Sequence, residues 1–199
     1  MRNIKYVFVF LVVLSGCANP INQRTATNYF QQGDSALAQG DLSHAKEMFS
    51  RALVNVRLGH MGAEAEAQVH MKLGRTQGNM CEYEEAEKHF IEAVSLNEKV
   101  HGNESPLTFS SKLELGQFSY DIGWYKKSVE YFEQAFEVGG DKLKESSPRT
   151  YYEVLKDYGD SLSKSGSTEK SSSINKELKE NSRYLSQESS YVRYPTECK

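Results

Sequence analysis

Cysteine, histidine and clustered carboxylates are the side chains of this sequence that could perform chemistry. Cys81 is a candidate nucleophile with His70 or His89 as its base, but no spacing and no neighbouring motif supports that role. The histidines share no metal-ligand spacing, at positions 44, 60, 70, 89 and 101. Acidic residues opposite one apolar stripe are typical of a solvated face: Glu82, Glu84, Glu85 and Glu87. Since phosphate-binding glycine loops, HExxH, paired CxxC and GxSxG are also missing, the sequence predicts no enzyme, no cofactor and no metal site.

The composition fits one globular domain and does not indicate nucleic-acid binding. The chain has 199 residues, 38% apolar and 26% charged, with a formal net charge of −3. That length is sufficient for a substantial core. Nucleic-acid binding usually requires a basic patch, and the sequence has no long basic run. We therefore expect a protein or peptide partner and no nucleic acid.

The N-terminal segment predicts export. MRNIK carries two positive charges, residues 6–14 form an apolar run of nine, and LSGC occupies residues 14–17. Nine residues are too few to span a bilayer as a helix. The four residues LSGC resemble the lipobox of bacterial lipoproteins, which implies removal of residues 1–16 as a signal peptide and lipidation of Cys17. The alternative is a plain secretory signal with an incidental cysteine.

The lipobox resemblance also implies a location. A diacylglyceryl thioether and an acylated amino group on Cys17, with fatty chains such as palmitate, would anchor the chain stably, where a single chain would be marginal. In double-membrane bacteria an aspartate after the cysteine favours the inner membrane. Here Ala18 and Asn19 follow, which implies the outer membrane and a periplasm-facing protein. We expect residues 17–25 to be the lipidated cysteine and a polar tether, with membrane contact through the lipid only.

The two other cysteines, Cys81 and Cys198, could form a disulfide, because an exported protein meets an oxidising compartment. Cys81 lies in a predicted turn and Cys198 lies in a C-terminal tail, residues 188–199, that has no helical pattern. A bridge would fasten the tail across the helices. The sequence does not fix the distance between them, so the pairing stays an open alternative.

Small and aromatic residues recur in one register. The first of them are glycines separated by 41, 42 and 43 residues: Gly33, Gly74, Gly116 and Gly159. Seven positions later stand residues suited to a tight turn: Gly40, Cys81, Gly123 and Gly166. Twelve positions after each glycine stand Ala45, Ala86, Ser128 and Ser171, and sixteen after stand Phe49, Phe90, Phe132 and Asn175. Nineteen positions after stand Ala52, Ala93, Ala135 and Leu178. The fourth copy has polar residues at two of these positions, as expected for a terminal repeat with a solvated outer face.

This register resembles the tetratricopeptide repeat. The spacing exceeds the family's common 34 residues, and SLNEKVHGNESP at residues 95–106 looks like the longer subclass of kinesin light chains. The resemblance implies an all-α fold, a right-handed α-solenoid of about four helix hairpins and eight helices. The repeats are expected near residues 26–62, 63–104, 105–146 and 147–187, which together form the domain 26–187. Glycines are expected to end three second helices: Gly59, Gly102 and Gly139.

The resemblance also implies the binding surface, because first helices line the concave side of such a stack. Helical geometry then gives the candidate partner-binding residues: Phe30, Asp34, Leu37, Met71, Arg75, Asn79, Leu113, Gln117, Tyr120, Asp121, Lys156 and Asp160. Phe30, Leu37, Met71 and Leu113 could equally pack between adjacent repeats. As a group, aromatic, methionine, arginine and asparagine side chains in one groove suit an extended or helical peptide.

These observations favour an outer-membrane-anchored adaptor or scaffold that binds protein partners in the periplasm through its concave groove. A pilotin-like assembly factor for type IV pili or another envelope machine is the alternative, although the repeats of such proteins are mostly of the 34-residue kind. Self-association through the open face of the first repeat is a further alternative. A second surface around the aromatics of two turns is less favoured than local packing: Trp124, Tyr125, Tyr151 and Tyr152.

The lipid anchor can be tested with Cys17→Ser. The serine hydroxyl cannot form the thioether, so we expect an uncleaved precursor that is lost from the outer-membrane fraction, followed by immunoblotting of fractionated cells. Normal processing and membrane retention of the variant would refute the anchor.

Overall fold

The computed structural model describes residues 19–185 and 193–196, and in these residues every regular element is helical. The α-helices are α1 (Pro20–Ala38), α2 (Leu42–Leu58), α3 (Ala63–Asn79), α4 (Tyr83–His101), α5 (Pro106–Asp121), α6 (Tyr125–Ser146), α7 (Pro148–Ser165) and α8 (Thr168–Glu180), followed by one short 3₁₀ turn, Ser182–Tyr184. The predicted signal peptide, Cys17 and Cys198 lie outside the described residues. No helix within the described ranges is long and apolar enough to cross a membrane.

Each predicted interhelical turn has the same backbone geometry. The turn residues are left-handed, with φ of 76° at Gly40, 62° at Cys81, 82° at Gly123 and 95° at Gly166. In all four turns the N–H of the next residue bonds back to a carbonyl five residues earlier, as Glu82 does to Gln77 at 2.9 Å. This is the hydrogen-bond pattern of a glycine-terminated helix. Cys81 adopts it without being glycine, at a conformational cost that glycine would not carry.

The spaced glycines let the two helices of each pair approach closely. A methyl group on Gly33, Gly74 or Gly116 would lie 2.6 to 2.8 Å from the ring of the phenylalanine sixteen residues later. Those rings, Phe49, Phe90 and Phe132, are fully buried. The missing side chain of glycine therefore makes the space that the aromatic ring fills.

The fourth pair uses a different residue for this contact. Asn175 was expected at the aromatic position, but Ile174 fills the space over Gly159, with its Cγ2 2.8 Å from a would-be Cβ. Asn175 is exposed on α8. Only Ser171, Ile174 and Leu178 of α8 are buried, which confirms that the last helix closes the stack with a solvated outer face.

The small residues predicted at the helix contacts are buried as expected. The three alanines Ala45, Ala86 and Ala93 are 0% exposed. Where serine replaces alanine, its hydroxyl bonds to the facing glycine carbonyl: Ser128 to Gly116 at 3.0 Å and Ser171 to Gly159 at 2.9 Å. The buried hydroxyls are thus satisfied inside the contact.

Two boundaries differ from the sequence prediction. The first helix begins at Pro20, capped by Asn19, so residues 20–25 are helical and not part of a tether. α6 continues to Ser146 instead of ending at Gly139. Gly139 lies inside α6 and is buried. A Cβ at this position would lie 2.5 Å from Phe109 of α5, so this glycine permits close helix packing instead of ending the helix. Gly59 and Gly102 do end their helices, as predicted.

We expect Gly74→Ala to lower the free energy of unfolding by about 1–3 kcal/mol, because the new methyl group overpacks the site against Phe90. The sign is diagnostic, since alanine is otherwise the better helix former by about 1 kcal/mol. Urea unfolding measures the change. Ser50→Ala, at an exposed position of α2, is the control and should stay within about 0.5 kcal/mol of the parent. A stabilised Gly74→Ala variant would contradict the close contact.

Candidate protein-binding groove

The first helices of the four pairs, α1, α3, α5 and α7, form one surface, which we call the groove. A polar ladder crosses it from each repeat to the next. The residue one position after the spaced glycine bonds to the residue two positions before the next glycine: Asp34 to Lys72 at 2.6 Å, Arg75 to Glu114 at 2.7 Å and Gln117 to Asp157 at 3.1 Å. The ladder therefore ties neighbouring first helices together in one register.

The structure brings most of the predicted groove residues to this surface. Several polar residues of the predicted set form hydrogen bonds or ion pairs within their own repeat or with the next one. The Tyr120 hydroxyl, for example, donates to Asp160 at 2.8 Å. Asn79 bonds to the carbonyl of Arg75 at 2.8 Å, and Lys156 is exposed. Leu37 and Leu113 pack against the apolar clusters, so for them the packing alternative holds.

Part of the groove is an open cavity of about 320 Å³. Its walls come from α1, α3, α4 and α5, and they combine apolar, charged and neutral polar side chains, among them Phe30, Glu64, Met71, Lys72, Arg75, Asn97, Leu107 and Ser110. Phe30 also contacts the ring of Phe49 edge-on at 5.6 Å, and the Lys72 ammonium lies 5.7 Å from the Phe30 ring centre. Phe30 and Met71 thus serve both packing and the cavity wall.

The chain's own tail occupies the other part of the groove. Arg193 lies between two carboxylates, at 2.8 Å from Asp121 and 2.7 Å from Asp157. Each of these carboxylate side chains is only 3% exposed. The backbone N–H of Tyr194 also donates to Asp121 at 3.0 Å. The tail therefore supplies the cation that two buried acids require.

Tyr194 is buried in a slot between the second and third repeats. Its ring meets Phe118 edge-on at 5.2 Å, and its hydroxyl donates to Glu114 at 2.6 Å. A Cβ on Gly78 would lie 2.9 Å from this ring. The next residue, Pro195, accepts a hydrogen bond from the Tyr83 hydroxyl at 2.6 Å. Residues 193–195 thus contact the groove through side chains and backbone alike.

Burial and charge act in opposite directions in this acidic pair. Burial raises the pKa of Asp157 and of Asp121, and Arg193 opposes both shifts. Burial disfavours the charged form of Arg193, but Asp157 and Asp121 together raise its pKa. Burial, with Glu114 adding to it, raises the pKa of Tyr194, so its phenol keeps the proton that it donates.

Sequence reasoning left open a tail fastened across the helices, but it missed Glu114, Asp157 and the tail residues that dock, Arg193 and Tyr194. The register did contain a signal for Glu114 and Asp157. Each of them stands two positions before one of the spaced glycines. Each also faces a polar residue, Arg75 or Gln117, that stands one position after the preceding spaced glycine. The residues of the tail that dock carried no such signal, since their hydrogen-bond partners lie 36 to 112 residues away.

Cys81 is disulfide-bonded. Cys198 lies outside the described residues, so the pairing of Cys81 with Cys198 stays a prediction. The contact of Pro195 with Tyr83, two residues after Cys81, is compatible with it.

The acidic cluster and the aromatic turn residues have structural partners. Glu82 binds Lys46 at 2.6 Å and Glu87 binds Lys127 at 2.6 Å, so these acids link neighbouring second helices instead of only facing solvent. Across the described part of the chain, no group of three potential metal ligands occurs. Trp124 packs against Phe118 at 6.2 Å, and Tyr151 against Tyr152 at 5.1 Å, in agreement with the favoured local packing.

Two histidines contact each other between α3 and α4. Nδ1 of His70 lies 2.8 Å from Nδ1 of His89, and Nε2 of His70 lies 3.3 Å from the Arg57 guanidinium. Because arginine can only donate, Nε2 accepts, and neutral His70 donates from Nδ1 to His89. Burial and, after it, the neighbouring His70 lower the pKa of His89 to about 4, against the opposing effect of Glu85 and Glu92. Burial and Arg57 also lower the pKa of His70, against Glu66.

Comparison with known proteins gives a family match and several structural neighbours. Residues 65–139 match the family model described as tetratricopeptide repeat. BtubC (BKLC) from P. vanneervenii has a TM-score of 0.73 at 16% identity, over 87% of this chain and 69% of that one. A Podosopora anserina putative kinesin light chain with nearly identical TPR-like repeats has a TM-score of 0.68 at 15% identity, over 85% of this chain and 80% of that one. No curated protein is a sequence match to the chain. At these identities the neighbours show the fold, an all-α helical repeat as predicted.

Acidification should destabilise the protein through the two histidines. An unfolded histidine has a pKa near 6.5 and folded His89 one of about 4, so the unfolded chain binds more protons between these values. The free energy of unfolding therefore falls as the pH falls through that window. In urea unfolding at pH 7 and pH 5, His89→Gln should show a smaller loss than the parent. His44→Gln, exposed on α2, should behave like the parent, and an unchanged loss in His89→Gln would exclude this origin.

Proposed function

We propose a scaffold function for this chain, which is a tetratricopeptide repeat protein: it holds a protein partner through the groove and is itself held at the outer membrane by lipid on Cys17. The observation that carries this proposal is the groove itself. One part is open and is lined by Phe30, Met71 and Leu107, among others. Another part holds residues 193–195, a segment of the chain without regular secondary structure. A surface that binds one such segment suits extended peptides in general.

The chemistry of the groove supports binding in preference to catalysis. Several of its charged side chains are paired with one another in the ladder, as Arg75 is with Glu114. Cys81, the candidate nucleophile, is disulfide-bonded, and the histidines considered as its base, His70 and His89, contact each other between α3 and α4. Binding without a chemical step is the mechanism that these contacts favour.

The proposed anchor adds to binding without adding contacts. Lipid on Cys17 confines the protein to a surface and raises the local concentration of partners on the same membrane. The first helix begins at Pro20, so only two residues separate the lipidated cysteine from the folded stack. We infer that the groove is held close to the periplasmic face of the outer membrane.

Site-specific photocrosslinking in native membranes tests the groove. A photoreactive phenylalanine replaces Leu107, which lines the cavity and is 46% exposed. The matched control is the same substitution at Ile91, 45% exposed on α4 outside the cavity. We expect discrete protein adducts from position 107 and none of the same mass from position 91. Equal adducts from both positions would exclude the groove as the binding surface.

The identity of the trapped protein distinguishes the scaffold from the pilotin-like alternative. A pilus or secretion-machine subunit trapped at position 107 would favour an assembly factor. Partners from several envelope processes would favour a general scaffold.

A further inference from the structure

We propose that the surface under residues 193–195 is a recognition site for an arginine–tyrosine pair in an extended segment of a partner protein, and that the chain's own tail is the resident ligand of that site. This deepens the scaffold function proposed above and rests on it. The segment is Arg193-Tyr194-Pro195, and we call the surface that it covers the Arg–Tyr site: Gly78, Tyr83, Glu114, Phe118, Asp121 and Asp157.

The cation half of the Arg–Tyr site is a pair of buried carboxylates. Asp157 receives two hydrogen bonds from the Arg193 guanidinium, at 2.7 and 3.1 Å, and Asp121 receives a third at 2.8 Å. Gln117 also donates to Asp157, at 3.1 Å. Two acids that are 3% exposed face one cation, so the site is left strongly negative when that cation departs. The forked donors of arginine fit this pair better than the single ammonium of lysine.

The aromatic half selects tyrosine. Gly78 leaves the space that the Tyr194 ring enters, and Phe118 and Phe90 form edge contacts with it at 5.2 and 6.3 Å. The hydroxyl reaches Glu114 at 2.6 Å. Phenylalanine would fill the slot but leave that partly buried carboxylate with one donor fewer, and hydrogen bonds of this kind discriminate between such side chains.

The backbone contacts of this segment leave the side chain after the tyrosine free to vary. The N–H of Tyr194 donates to Asp121, and the carbonyl of Pro195 accepts from Tyr83. Any residue after the tyrosine offers the same carbonyl. Recognition is therefore limited to the arginine–tyrosine pair, which another protein can present as easily as this tail does.

A partner segment could outcompete the tail because the Arg–Tyr site adjoins the open cavity. Arg75 lies at the junction: it lines the cavity and binds Glu114, which accepts from Tyr194. A longer segment that places arginine and tyrosine in the site and continues over Arg75 toward Met71 and Leu107 gains apolar contacts along the cavity wall, in addition to those that residues 193–195 make. The tail then acts as a competitor that keeps the buried acids paired until a partner arrives.

Peptide binding to the purified full chain tests the proposal. The tail-released chain carries Arg193→Ala, Tyr194→Ala and Cys198→Ser, which removes the docking side chains and the cysteine that could hold the tail to Cys81. The probe is a fluorescein-labelled peptide with the sequence of residues 191–197, followed by fluorescence anisotropy. We expect saturable binding to the tail-released chain and at least about tenfold weaker binding to the parent chain, whose own tail competes.

Two variants of the tail-released chain locate the binding. Asp157→Asn removes a charged acceptor, and Gly78→Ala fills the tyrosine slot without changing charge; each should weaken binding at least about tenfold. Glu133→Gln, an exposed carboxylate paired with Lys170, is the control and should leave binding unchanged. Circular dichroism verifies that each variant is folded. Peptides with phenylalanine in place of tyrosine or lysine in place of arginine should bind more weakly than the probe.

Several results would overturn the proposal. These are no peptide binding to a folded tail-released chain, or binding that Asp157→Asn and Gly78→Ala leave intact. Dimers of the parent chain that the probe dissociates would show that a second copy's tail is the natural occupant, against an external partner. A partner trapped at position 107 whose sequence lacks an arginine–tyrosine pair, or whose peptides fail to displace the probe, would overturn this inference and leave the scaffold function standing.

Discussion

The structure depends on the contact between a helical glycine and the aromatic ring that covers it. At Gly33, Gly74 and Gly116 the missing side chain lets the paired helix approach until a phenylalanine fills the space. Because this contact recurs every 41 to 43 residues, each pair meets the next in the same orientation. The first helices consequently present equivalent positions side by side, and that alignment is what creates a groove.

The alignment of the first helices also explains how the groove accommodates partly buried charged side chains. Each ladder contact joins equivalent positions of successive repeats, and its first two members, Asp34 with Lys72 and Arg75 with Glu114, are ion pairs. The third ladder contact is a hydrogen bond and not an ion pair, because Gln117 is neutral and only Asp157 carries a charge. Arg193 of the tail supplies the missing cation. The tail thus binds where the repeat pattern leaves a buried acid without a basic neighbour.

The errors of the sequence prediction share a physical cause. Gly139 looks like a helix end, yet it lies within α6 because Phe109 needs the space that a side chain would take. Ile174 replaces Asn175 because an apolar side chain one position away can reach the same glycine. In both cases a neighbouring helix decided the role of a residue whose local pattern pointed elsewhere. The left-handed turn at Cys81, by contrast, followed from its place in the register.

The sequence by itself determined the helical repeat, its register, its four turns and the helices that line the groove. These features repeat within about 40 residues, and short-range periodicity records them directly. Only the tertiary structure decided that the groove is partly filled, that Asp121 and Asp157 meet one arginine, and that Tyr194 enters the space above Gly78. Those contacts join residues of the repeats to the segment 193–195, over separations of 36 to 116 positions. The segment lies outside the repeats, so no periodicity relates it to its partners.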